Sequence, residues 1–309
     1  MMNVDKKYYA KLMLAGEYGV LNGGEALTVP LKMYKAGVAH RDELNSEKTI
    51  DTISESVASL RDLFMYIRSL PKKSFYAIPK IVEMEDFLKK GFYIESDIPS
   101  GYGIGSSGAV TALVYDQFFK SGKKRTPNEI MTDLSTIESF FHGRSSGVDA
   151  MTIYSGNTLH FLPDKEIRTI ATNPLRNDKG YRFFLIDSGV KMETAPLVKH
   201  YNKKLEEKDF YRIISDDYLP LISKFIKVIT GDFVGDMALL FRAISDVQWN
   251  YFRPMIPESI EDAWINGQVS NTYYLKLNGS GGGFLLGIAH EDSVETTESM
   301  LEGFTLNWL

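Results

Sequence analysis

Two carboxylates eleven residues apart, Glu138 and Asp149, bracket the segment His142-Gly143-Arg144-Ser145-Ser146-Gly147. Phosphoryl transfer needs one carboxylate to help hold Mg²⁺ and another to orient or deprotonate the accepting hydroxyl. An acid on a helix and a second on the glycine-containing turn beyond it could do both, although each alone also reads as a solvated surface group. Upstream, residues 99–110 read PSGYGIGSSGAV, with Gly101, Gly103, Gly105 and Gly108 around Ser106 and Ser107. Glycine lets backbone approach an anion closely and adopt positive φ, and a helix start points unpaired N–H groups at it. The loop is no Walker A motif, because no Gly-Lys-Ser/Thr follows at the required spacing, and it lacks the third glycine of the dinucleotide fingerprint. A phosphate grip and a plain glycine turn capped by serines are the two readings.

A second glycine cluster, Asn278-Gly279-Ser280-Gly281-Gly282-Gly283, follows a strand that carries Lys276. So dense a run is costly in conformational entropy, which favours a loop whose backbone passes against substrate or phosphate. Lys11 sits in a mostly apolar strand, where it either snorkels to water from an edge or serves a site as a buried cation. Glu17 and Tyr18 lie on the loop just after it.

The elements that must position these groups follow from periodicity and breakers. A strand over 8–15 ends at Gly16, and 26–36 returns as extended chain. Ile53, Val57, Leu60, Phe64 and Ile67 recur at spacings of four and three, which predicts an amphipathic helix. A strand over 92–96 leads into the glycine loop, and a helical apolar pattern begins at Val110 with Leu113, Val114 and Phe118. Thr126, Pro127 and Glu129 announce the next helix as cap, first residue and capping-box partner. Its buried face is predicted as Ile130, Leu134, Ile137 and Phe141, with Glu138 on the flank. Residues 158–162, 182–186 and 273–277 read as strands, 164–180 as a linking region, and 194–207, 218–230 and 236–251 as helices. The last of these shows a stripe of Leu240, Ile244, Val247 and Tyr251. Mixed elements without strict βαβ alternation predict an α+β fold.

With 309 residues, 44% apolar and 24% charged, the chain can bury a real core in one large or two moderate domains. Its net charge of −5 disfavours nucleic acid as a partner. The absence of cysteine excludes disulfides, thiolate metal sites and a Cys nucleophile. The first residues lack a signal-peptide core, and no run of about eighteen apolar residues predicts a membrane span. A cytoplasmic protein without membrane or nucleic-acid partners is the expectation.

Taken in order, these motifs resemble the GHMP kinase superfamily. The PxxxGLGSSAA motif is matched by Pro99, Gly103, Ile104, Gly105, Ser106, Ser107 and Ala109, with Gly108 in place of the first alanine. KxxLxGEHxVxxG is matched by Lys11, Leu14, Gly16, Glu17, Val20 and Gly23. HGxPSGxD is matched by His142, Gly143, Ser146, Gly147 and Asp149, and the third motif by Lys276 and residues 279–283. Within the superfamily the chain looks most like the compact mevalonate kinases of the Bacteroidetes type. The resemblance implies a two-domain fold: a domain like the second domain of ribosomal protein S5 over 1–176, which binds ATP, and a ferredoxin-like domain over 177–309, with the active site in the cleft between them. It implies that Asp149 is the base for the C5 hydroxyl of mevalonate and that Lys11 stabilises charge on the transferring group. Glu138 and Ser107, in preference to Ser106, would hold Mg²⁺. Pro99, Gly101 and 103–109 would wrap the ATP phosphates, and Glu17, Tyr18, His142, Ser146, Gly147, Thr194, Gly279, Ser280 and Gly281 would line the substrate pocket. The implied reaction is ATP-dependent phosphorylation of (R)-mevalonate in isoprenoid biosynthesis, with ATP and Mg²⁺ as cofactors; the oligomeric state is left open, a homodimer included.

The chain departs from the pattern at Tyr18, where histidine is usual, at Ala10, where glycine is usual, and at Ser145, where proline is usual. A Gly-Glu-Tyr pattern also occurs in bacterial phosphomevalonate kinases, so that activity is the first alternative, with Arg144 and Lys191 as the basic residues a substrate phosphate would need. A diphosphomevalonate decarboxylase and a non-catalytic metabolite-binding relative are the others.

Overall fold

A computed structural model describes residues 4–43, 50–120, 122–176 and 180–309. The chain forms two compact units interleaved in sequence. One holds Met1–Lys11, Pro30–Pro99 and Gly105–Asn157, and the other Leu12–Val29, Ser100–Ile104 and Thr158–Leu309. The boundary expected after residue 176 abuts residues 177–179, which lie outside the described ones.

The first unit takes the opening residues of β1 (Tyr8–Ala15) and the later part of β2 (Ala26–His40). It continues through α1 (Ile50–Ser69), β3 (Ile78–Pro79), α2 (Ile81–Lys89) and β4 (Phe92–Ser96). The unit closes with α3 (Ser106–Phe118), β5 (Phe119–Lys120), α4 (Pro127–His142) and α5 (Val148–Ser155). Strand β4 pairs antiparallel with β2, Ser96 opposite Ala36 and Phe92 opposite His40. Helix α1 buries the predicted Ile53, Val57, Leu60, Phe64 and Ile67 and adds Leu63. Helix α3 packs against α4 and α5 and buries Ala109, Ala112, Leu113 and Val114 completely. Each fully buried Val or Leu side chain contributes roughly 1.5–3 kcal/mol of transfer free energy, so this helix is a rigid base for the residues at its start.

Two expectations about these helices need correction. Helix α3 starts at Ser106, not at Val110 where the apolar pattern begins. Gly105, at φ +85°, is its N-cap, so both loop serines lie in the first helical turn; hydroxyl residues leave no mark on an apolar period. Helix α4 starts as predicted, with the Thr126 hydroxyl accepting the Glu129 N–H at 3.2 Å and Glu129 accepting the Thr126 N–H at 2.9 Å. Its core face, however, is Asp133, Leu134, Ile137 and Glu138, while Ile130 and Phe141 are half-buried. Asp133 is buried because its carboxylate accepts the Tyr76 and Ala77 N–H groups at 2.7 and 2.9 Å.

In the second unit, residues 26–28 of β2 pair antiparallel with β6 (Thr158–Phe161), and β6 pairs with β7 (Ile167–Ile170). Strand β7 falls in the stretch expected to be a linking region. A four-stranded antiparallel sheet has the order β11-β8-β10-β9, from β8 (Tyr181–Asp187), β9 (Tyr273–Leu277), β10 (Phe284–His290) and β11 (Leu306–Trp308). Its helices are α6 (Thr194–Lys204), α7 (Lys208–Arg212), α8 (Leu219–Thr230), α9 (Met237–Tyr251), α10 (Glu261–Ser270) and α11 (Val294–Met300). Helix α9, capped by the Asp236 carboxylate on the Leu239 N–H at 3.0 Å, packs on β9. It buries Phe241, Ile244, Ser245 and Gln248, whereas the predicted Leu240 and Val247 are half-buried and Tyr251 is exposed. The helix is rotated because Gln248 accepts the Leu277 N–H at 2.7 Å and donates to the Tyr218 hydroxyl at 3.0 Å. A buried polar anchor of that kind is invisible to a hydrophobic pattern. Among the described residues, no helix is long and apolar enough to cross a membrane.

Candidate active site

Within the first unit, β1, the starts of α3 and α5 and the end of α4 bring five of the sequence-selected residues together. Lys11 on β1 is fully buried, and its ammonium lies 3.1 Å from Asp149 Oδ1. Among the described residues that nitrogen has no hydrogen-bond acceptor, so the contact is an ion pair whose geometry leaves the donors unused. A desolvated cation with free donors is suited to an anion with oxygens to offer. Asp149 is on the first turn of α5, about one-third exposed, and so retains access to a ligand. Gly105 permits this arrangement: a Cβ there would come within 2.9 Å of Ile153 and 3.1 Å of the Lys11 side chain.

Glu138 supplies the neighbouring carboxylate. It is only 3% exposed, and each of its oxygens receives one hydroxyl, Oε1 from Ser107 at 3.2 Å and Oε2 from Ser145. Ser107 Oγ also lies 2.9 Å from His142 Nε2. Burial, reinforced by the negative charge of Asp149, raises the Glu138 carboxyl to about 7. Burial likewise pushes the His142 imidazole down, against the opposing pull of Asp149. Gly108 stands where a Cβ would lie 3.1 Å from the Ala150 nitrogen, which lets α3 pack tightly on the α5 turn that carries Asp149. Among the described residues no three His, Asp or Glu side chains gather as a self-sufficient metal cage. One carboxylate with a hydroxyl beside it does fit Mg²⁺, which keeps waters and takes substrate phosphate oxygens to complete its octahedron.

Within the second unit, residues 101–104 pack against residues 278–283. A Cβ on Gly103 would overlap the Asn278 carbonyl oxygen, one on Gly279 would lie 2.9 Å from the Gly103 oxygen, and one on Gly283 would overlap Tyr102. A Cβ on Gly281 would overlap the Met255 backbone, and one on Gly282 would come within 2.5 Å of Met192. The density of glycine in the second cluster thus answers first to backbone packing. Asn278, fully buried, binds the Met13 N–H at 3.0 Å and the Gly103 carbonyl at 3.4 Å. Glu17 is not open to solvent: it pairs with Lys276, and both side chains are fully buried. Lys276 also donates to the carbonyls of Leu277 at 2.7 Å and Met13 at 3.3 Å. Tyr18 adopts φ +59°, unusual for a bulky residue, and its hydroxyl donates to the Ser280 carbonyl at 2.5 Å. Its ring rests on Tyr201 and Phe252, with centroids 4.7 and 5.4 Å away, and burial raises its phenol above the ordinary value. Thr194 Oγ1 is 2.9 Å from Ser280 Oγ.

Residues 72–157, which contain α3, α4, α5 and the Ser107–Glu138–His142–Asp149 cluster, match the family of GHMP kinases N terminal domain. Solved structures extend the likeness beyond that segment. A mevalonate kinase from L. major in complex with R-mevalonate matches with a TM-score of 0.62 at 15% identity, covering 100% of this chain and 98% of that one. The chain has the GHMP kinase fold. The mevalonate kinase of Methanococcus jannaschii matches with a TM-score of 0.63 at 18% identity, over 98% of this chain and 96% of that one. A Streptococcus pneumoniae phosphomevalonate kinase in complex with phosphomevalonate and AMPPNP matches with 0.60 at 13% identity, over 98% and 99%. No curated protein matches the chain by sequence.

On this GHMP kinase fold, the sequence-selected residues fall into two groups, one in each unit. Ser107, Ser106, Gly105, Gly108, Ala109, Glu138, His142, Gly147 and Asp149 lie in the first unit with Lys11. Glu17, Tyr18, Gly101, Gly103, Ile104, Thr194, Gly279, Ser280 and Gly281 lie in the second. Pro99 ends a stretch of the first unit, and Ser146 is exposed on the turn before α5, where its hydroxyl accepts the Val148 N–H at 3.4 Å. Sequence reasoning missed the contact of Ser145 with Glu138, because it read Ser145 only as a departure from proline. The signal was there: a second hydroxyl residue within reach of a helix-borne acid seven positions earlier.

Proposed function

We propose that the protein is an ATP-dependent kinase that phosphorylates the C5 hydroxyl of (R)-mevalonate, giving 5-phosphomevalonate and ADP. The observation that carries the reading is the Lys11–Asp149 ion pair at 3.1 Å in the same unit as the hydroxyl-bound Glu138. Asp149 is the base that takes the hydroxyl proton, and Lys11 lies beside it and offers its unused donors to the transferring phosphoryl oxygens. Glu138 and Ser107 are the chain's ligands for Mg²⁺, which when bound neutralises charge on the β- and γ-phosphates. The first-turn N–H groups of α3, behind the Gly105 cap, face no side-chain acceptor of that cap and suit a phosphate chain.

Mevalonate stands ahead of other acceptors on the match of His142, Gly143, Ser146, Gly147 and Asp149 to the segment typical of mevalonate kinases. Arg144 and Lys191, both exposed, are the basic residues a phosphorylated acceptor would call on. Tyr18 favours the second reading, a phosphomevalonate kinase. The product decides: incubation with ATP, Mg²⁺ and mevalonate, read by ³¹P NMR, should show a new phosphomonoester with ADP in equal amount. Absence of that resonance, with the protein folded and binding ATP, would overturn the proposal.

A further inference from the structure

We infer that Ser145 is a positioning residue that fixes the Glu138 carboxylate in one orientation for a divalent cation, an inference that rests on the metal role proposed above for Glu138. Three bonds hold Ser145. Its Oγ donates to Glu138 Oε2, the same Oγ accepts the Gly147 N–H at 2.9 Å, and its carbonyl accepts the Ser135 hydroxyl at 2.6 Å. The residue therefore joins the body of α4 to the N-cap of α5. Gly147 sits there at φ +77°, and a Cβ on it would lie 2.8 Å from the Met131 carbonyl, so the turn has little room to adopt another path.

With Ser107 on Oε1 and Ser145 on Oε2, rotation about the last side-chain bond of Glu138 would cost two hydrogen bonds. A carboxylate oxygen that accepts one hydroxyl still has a lone pair for a metal. Mg²⁺ tolerates little deviation from octahedral geometry, so holding the ligand in advance raises affinity. Proline, the usual residue at this position in the resembled family, has no hydroxyl to make the bond.

The test is an EPR titration of the full chain with Mn²⁺ in the presence of ADP, with nucleotide affinity measured separately in EDTA. Ser145→Ala should weaken Mn²⁺ binding about tenfold, at the lower end of the 10–100-fold effect of outer-shell partners, and Ser145→Thr, which keeps the hydroxyl, should stay within about threefold. Metal-free ADP affinity and the unfolding temperature should be unchanged in Ser145→Thr, and ADP affinity unchanged in Ser145→Ala. Ser145→Cys, close in size but a weak donor, should behave as Ser145→Ala does even if the alanine variant folds poorly. Glu138→Gln separates the metal role of Glu138 from the positioning role of Ser145. If it weakens Mn²⁺ binding while the Ala and Cys variants at 145 bind like wild type, the positioning role is wrong and the metal role stands. If Glu138→Gln leaves Mn²⁺ binding unchanged, the metal role falls and the positioning role with it.

Discussion

The Lys11 ammonium and the Asp149 carboxylate stand 3.1 Å apart, one fully buried and the other about one-third exposed. That asymmetry gives the pair a direction: the cation is fixed by the core, and the acid faces outward where a ligand can reach it. Asp149→Asn should lower kcat by roughly 10²–10⁴-fold, the range for removing a general base, and leave ATP affinity within about twofold. Near wild-type kcat in this variant would remove Asp149 from the base's role.

Lys11→Met fills the same space without charge. It should lower kcat by about 10²–10³-fold, comparable to loss of one preorganised donor at a charged transition state, and change the KM for mevalonate far less. Steady-state kinetics with both substrates varied checks the split.

Glu138 makes metal-free stability pH-dependent. Its folded-state carboxyl is raised to about 7 from an ordinary 4.5, so the folded chain binds the proton more tightly than the unfolded chain between those values. Stability is therefore highest below pH 4.5 as far as this group is concerned and falls as pH rises to 7, by at most about 3 kcal/mol, with no further loss above. Urea unfolding in EDTA at pH 5, 6, 7 and 8 should show that slope, and Glu138→Gln should flatten it. Saturating Mg²⁺ with nucleotide, which favours the ionised form, should flatten it too.

The buried Glu17–Lys276 pair is expected to hold the second unit together more than to contact a ligand. Glu17→Gln and Lys276→Met should each destabilise by about 3–5 kcal/mol, since each leaves a buried charge uncompensated. The double variant should recover much of that loss, a coupling that a double-mutant cycle in urea measures directly.

Gly103→Ala tests the packing of the two glycine loops. Gly103 has φ +72° and the Asn278 carbonyl in the way of a Cβ, whereas Gly231 has φ +86° and nothing within 4 Å. The first substitution should cost about 2–4 kcal/mol from strain and overlap together, the second about 1 kcal/mol from strain alone. Equal costs in thermal unfolding would mean that the loops do not depend on each other.

What the sequence made legible were the residue types that chemistry demands and the periods of long helices. Lys11, Ser107, Glu138 and Asp149, which the structure brings into two contacting pairs within one unit, stand out by type and order, and α1 and the start of α4 by spacing and capping. What escaped it were polar residues on buried faces, Asp133 on α4 and Gln248 on α9, because a partner distant in the chain decides their burial. The Glu17–Lys276 pair joins positions 259 residues apart, which no local period reports. Ser145 escaped for a different reason. Comparison with a family pattern marked it as a missing proline, and only the geometry shows the hydrogen bond its hydroxyl makes.

The proposed reaction moves the γ-phosphoryl group of ATP to the C5 hydroxyl of mevalonate. The most direct measurement offers the purified protein ATP and Mg²⁺ with mevalonate, phosphomevalonate and diphosphomevalonate in separate reactions, follows ADP and CO₂, and uses Asp149→Asn as the blank. ADP release is expected with mevalonate, none above the blank with the other two, and no CO₂. ADP formed only with phosphomevalonate, or CO₂ released from diphosphomevalonate, would contradict the proposed reaction.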